Sequence, residues 1–74
     1  MKKINHNTRK TILIDGEKVT ASVTMLNRIS IWIAESADLD KKRGFCDMSK
    51  ISHEISRDIY NQLDEMGYYD NVKN

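Results

Sequence analysis

From Lys18 to Met25 the chain alternates strictly between polar and apolar positions. Val19, Ala21, Val23 and Met25 fall on one side, and Lys18, Thr20, Ser22 and Thr24 on the other. A period of two places the four apolar residues on one face of a sheet. Residues 9–15 just upstream are rich in β-branched types. Between the two runs stands Asp15-Gly16, a pair suited to a type I′ turn, which needs positive φ at both central positions. A hairpin is therefore expected. Towards the other end, Met48, Ile51, Ile55, Ile59, Leu63 and Met66 recur every three or four residues. That is the apolar stripe of one helix over residues 48–66. Asp47 or Ser49 can cap its start, and Gly67 stands where a left-handed C-terminal cap belongs. Lys50, Glu54, Arg57, Asn61 and Asp64 form its polar face, with Lys50 and Glu54 spaced to pair.

The middle is ambiguous. Residues 28–34 can be a third strand with Ile29, Ile31 and Ile33 facing the core. The same stretch can be a helix from about Met25 to Asp38 that buries Leu26, Ile29, Ile33 and Ala37. Dense β-branching favours the strand, and a helix leaves Ile31 off its apolar stripe. Residues 36–47, dense in charge and broken by Gly44, read as a loop. The expected organisation is a single small α+β domain over residues 1–74. A flexible arm (1–8) precedes the sheet (9–35), the loop (36–47), the helix (48–66) and a tail (67–74) in which Tyr68 or Tyr69 folds back. The architecture is a three-stranded antiparallel meander packed on one long C-terminal helix, the minimal two-layer solution. The alternative is a ribbon-helix-helix-like dimer preceded by a β-hairpin.

Composition narrows the functional classes. With 74 residues, 39% apolar and 31% charged, the chain suits one globular unit with a marginal core, for which self-association is a common remedy. Twelve basic and eleven acidic side chains leave a net charge of +1. A duplex-binding domain usually carries a clear basic excess. The basic residues do cluster, in Lys2, Lys3, Arg9 and Lys10 and again in Lys41-Lys42-Arg43. The single cysteine, Cys46, cannot form an internal disulfide. No apolar run approaches a membrane span, and the start lacks the apolar stretch of a signal peptide. A cytoplasmic setting is the default expectation.

The chemistry of sites is thin. Cys46, His53 and Asp58 have no spacing that marks a nucleophile, base and orienter. His53-Glu54-Ile55-Ser56-Arg57 begins like a zinc-protease motif, but Arg57 stands where the second histidine must ligate the metal. From Asp38 to Ser49 there is a faint calcium-loop pattern. Arg43 replaces its turn glycine, Ser49 replaces its bidentate glutamate, and Lys42 adds a cation to the ring. No catalytic residue, cofactor or metal is therefore expected, and the chain is read as a non-enzymatic binding protein.

Two partners remain. On the meander, Leu13, Leu26 and Trp32 point away from the core and form an apolar patch. Such a patch fits a regulator or inhibitor that binds another protein, and it serves equally to join two copies in a homodimer. The second partner is DNA. The alternating strand, together with Ser56-Arg57-Asp58-Ile59-Tyr60-Asn61-Gln62-Leu63, resembles the strand and second helix of the ribbon-helix-helix repressors. That resemblance implies a dimer in which Lys18, Thr20 and Ser22 read bases from the strand. It requires residues 25–38 to be helical and a connection shorter than a loop running from Asp38 to Asp47.

Overall fold

The computed structural model describes residues 5–71. Strands β1 (Arg9–Ile14) and β2 (Glu17–Ser22) form an antiparallel hairpin. Helix α1 (Val23–Lys42) follows with no intervening loop, and helix α2 (Cys46–Glu65) returns beside it. A short 3-10 turn over Tyr68–Asn71 closes the described chain. The fold is α+β, with two strands and two α-helices among the described residues.

The hairpin is where the alternation placed it, though β2 stops at Ser22. Ile12 faces Val19 and Ile14 faces Glu17 across the ladder, so the turn is the two-residue Asp15-Gly16. Both have positive φ, 54° and 83°, as a type I′ turn demands. The inner face carries Ile12, Ile14, Val19 and Ala21, which pack against the core. On the outer face the Thr11 and Thr20 hydroxyls meet at 2.6 Å. The free edge of β1 is partly satisfied by a side chain of α2. The Leu13 N–H donates to Gln62 Oε1 at 3.0 Å, and Gln62 Nε2 donates to the Leu13 carbonyl at 2.7 Å. The carboxamide thus stands in for a neighbouring strand.

The expected third strand is instead the middle of α1, and the expected loop over residues 36–47 is mostly its last turns. Three features outweigh the β-branching of Ile29, Ile31 and Ile33. Ser22 is the N-cap, its Oγ accepting from the Met25 N–H at 3.2 Å. At the other end Gly44 is left-handed (φ 89°). Its N–H bonds to the Lys41 carbonyl at 3.1 Å and the Phe45 N–H to the Asp40 carbonyl at 2.8 Å. Those two bonds make a Schellman cap, with Lys41 and Lys42 suited to the negative end of the helix dipole. Between the caps, Val23, Leu26, Ser30 and Ala37 are buried at helical spacing. Gly44, read as a loop breaker, is a helix terminator.

Only residues 43–45 connect the helices, so α1 and α2 pack antiparallel. At their crossing each helix donates a serine hydroxyl to the backbone of the other. Ser56 Oγ donates to the Ser30 carbonyl at 2.9 Å, and Ser30 Oγ donates to the Ser56 carbonyl at 3.2 Å. Ser30, Ala37, Ser49 and Ser56 are all buried, and small side chains are what permit that approach. The large apolar side chains gather at the other end, where the hairpin covers the pair. Ile12, Val23, Leu26, Ile59, Leu63 and Tyr68 form the core there.

This uneven core corrects the expected stripe of α2. Ile59 and Leu63 are buried, and Ile55 and Met66 pack at the core margin. Met48 and Ile51 are 59% exposed, because the loop half of α2 meets α1 through Ser49 and Ser56 instead. The N-cap is Phe45, with no side-chain bond from Asp47 or Ser49. Gly67 does take the left-handed cap, φ 85°. Residues 1–4 of the expected arm lie outside the described residues. Residues 5–8 are fastened to α1: the Thr8 carbonyl accepts from the Val23 N–H at 2.9 Å and the His6 carbonyl from Thr24 Oγ at 3.0 Å. Tyr68 is buried, and the Tyr69 hydroxyl donates to Asn27 Oδ1 at 2.6 Å. No helix among the described residues is long and apolar enough to cross a membrane.

Candidate binding surface on the helix pair

The three residues expected to share an outer sheet patch are not brought together. Leu26 is fully buried between the helices and the hairpin. Leu13 is exposed on the outer sheet face, paired across the ladder with Lys18. Trp32 is exposed on α1. The meander that would have aligned them does not exist, since residues 28–34 are helical.

The helix pair builds a different surface. On one flank the close crossing leaves an open groove of about 550 Å³. Its floor holds Ile31 and Ala34 from α1 and Tyr60 from α2, with the Ser30–Ser56 contact beneath. Lys50, His53, Glu54 and Arg57 line its α2 side. Helical spacing explains the arrangement: 50, 53, 54, 57 and 60 recur every three or four residues along one side of α2. His53 Nε2 lies 3.3 Å from Asp38 Oδ1, joining the two helices. Tyr60 is held by a stacked contact with Tyr69, ring centroids 4.6 Å apart. Burial beside Tyr60, Tyr68 and Asp64 pushes the Tyr69 phenol up to about 12. Around the side of α1 a shallower depression of about 370 Å³ is lined by Thr24, Asn27, Arg28, Ile31, Trp32 and Tyr68. Ile31 therefore belongs to both hollows. Ile31 is the residue that a helix leaves off its apolar stripe. That misfit was the one legible signal of the groove.

The residues weighed for DNA lie on the outer sheet face with Arg9, Thr11 and Leu13. Two of them are already engaged: the Ser22 hydroxyl caps α1 and the Thr20 hydroxyl pairs with Thr11. Lys18 is exposed. As for catalysis, Cys46 is exposed and lies seven residues before His53 on one helix, about 10 Å along its axis. Asp58 Oδ2 accepts from Gln62 Nε2 at 3.2 Å. Among the described residues no three His, Cys, Asp or Glu side chains come together as a metal set. No family model matches this chain, and the comparisons with curated proteins and solved structures likewise found no match.

Proposed function

We propose that this chain is a small non-enzymatic cytoplasmic protein that regulates or inhibits another protein by binding it in the groove between α1 and α2. The observation that carries the reading is the groove itself, with an apolar and aromatic floor inside a charged border. Aromatic floors with polar rims are the usual anatomy of a protein contact. Tyr60 is fixed by stacking on Tyr69, so it is presented with little entropy left to lose. A photoreactive side chain at Arg57 tests the reading in cells of the source. It should crosslink a defined protein, and Ala34→Trp, which fills the groove, should abolish the product while far-UV circular dichroism is unchanged. Tyr60→Ala should weaken the contact by about tenfold or more. An equal crosslink from Asn61, on the outer side of α2, would overturn it.

The DNA reading keeps one specific support. β2 runs straight into α1 and a short turn leads to α2, the strand-helix-helix order that the ribbon-helix-helix resemblance requires. Residues 25–38 are helical, and the connection is three residues long. A gel-shift assay across a salt series decides it: specific binding should fall steeply with salt and fall again with Lys18→Ala. Retention that ignores both would exclude it.

A further inference from the structure

We propose that two copies of this chain associate antiparallel through the outer side of α1, with Trp32 on the two-fold axis. Met25, Trp32 and Leu39 are 42%, 51% and 52% exposed. They stand seven residues apart, about 10.5 Å per step along the helix. A seven-residue step drifts by only about 20° around a straight helix, so the three make one stripe. It lies opposite the side on which Ser30 and Ala37 meet α2. The groove faces elsewhere, so the inference goes beyond the binding reading and leaves that site open.

The stripe is self-complementary. Met25 and Leu39 are equidistant from Trp32, so an antiparallel two-fold sets Met25 against the partner's Leu39 and Trp32 against the partner's Trp32. That is the matching an isologous contact requires. Charge picks the direction. Arg28 and Glu35 stand on the same flank of the stripe, seven residues and about 10.5 Å apart, beyond ion-pair reach in their own helix. Among the described residues neither Arg28 nor Glu35 makes a charge pair, the one acid–base contact there being His53–Asp38. The antiparallel two-fold brings Arg28 to within one residue, about 1.5 Å of axial register, of the partner's Glu35, and does so twice. A parallel pair, with its two-fold along the helices, would carry the partner's Arg28 and Glu35 to the opposite flank and make neither contact. Exposed pairs of this kind add little affinity but strongly bias orientation. The core, confined to one end of a 74-residue chain, supplies the need.

Sedimentation equilibrium should show a mass rising with concentration from 8.6 kDa towards twice that value. Arg28→Glu and Glu35→Arg should each weaken association by about tenfold, and the double variant should restore it. Trp32→Ala should give a folded monomer. In a Cys46→Ser background, Trp32→Cys should crosslink to itself, and Met25→Cys should crosslink to Leu39→Cys but not to itself. A chain that is monomeric at every concentration would overturn the proposal. So would a Met25→Cys self-crosslink, or a dimer indifferent to charge reversal and to Trp32→Ala, such as one joined through the free edge of β2.

Discussion

At the scale of single residues, the helix crossing turns on Ser30 and Ser56, each donating its hydroxyl proton to the other's carbonyl. Ser56→Ala removes one donor and leaves the Ser30 carbonyl short of a partner in a buried site. The expected loss is about 1 kcal/mol in urea denaturation. Ser56→Leu has no room at that separation and must push the helices apart, costing about 2–3 kcal/mol. Tyr69 offers a test that reads pH. Its phenol titrates near 12 in the folded chain against 10.0 for an ordinary tyrosine, first because it is buried, then because Tyr60, Tyr68 and Asp64 lie nearby. A folded pKa raised above the unfolded one gives stability that is complete below pH 10. That stability is lost as pH rises towards 12, since the unfolded chain releases the proton first. Tyrosinate absorbance should therefore show a late-ionising step, and Tyr69→Phe should remove that step and flatten the alkaline loss.

At the scale of elements, glycine sets the limits of the secondary structure, and each limit can be probed. Gly16 has φ 83°, and a Cβ there would meet nothing within 4 Å. Gly16→Ala should therefore cost backbone strain alone, about 1–2 kcal/mol of thermal stability, while Asp15→Gly, which relieves a residue at φ 54°, should be close to neutral. Gly44 also has open space for a Cβ and positive φ, so Gly44→Ala should loosen the Schellman cap by a similar amount. The hairpin was legible because alternation and an Asp-Gly turn agree. The long helix of the C-terminal half was legible from its stripe. α1 was misread because serine and alanine are among the residues it buries, Ser30 and Ala37 beside Val23 and Leu26. A stripe of Leu26, Ser30, Ala34 and Ala37 has the helical period but little hydropathy, whereas Ile29, Ile31 and Ile33 are conspicuous and spaced like a strand. Two of those three pack only at the core margin, and Ile31 is exposed.

At the scale of the whole molecule, two helices of 20 residues in a 74-residue chain should give a strongly helical far-UV circular dichroism spectrum, about half the residues. A signal from a quarter of the chain would mean that the three-stranded form prevails in solution. The molecule has a solid end, where the hairpin covers the helix pair, and a thin end, where two helices touch through small residues. That division leaves Met48, Ile51 and Leu39 uncovered and opens the groove beside Tyr60. The amino-acid sequence by itself determined the type I′ hairpin, the amphipathic C-terminal helix and its glycine cap, because each rests on contacts or φ values within a few neighbouring residues. The caps at Ser22 and Gly44 allow a helix through residues 28–34, and tertiary packing decided for it over a strand. The fates of Leu26, Met48, Ile51 and Trp32 were settled in the same way. The Ser56 hydroxyl bonds the backbone of Ser30, 26 residues away, and no local pattern carries that term.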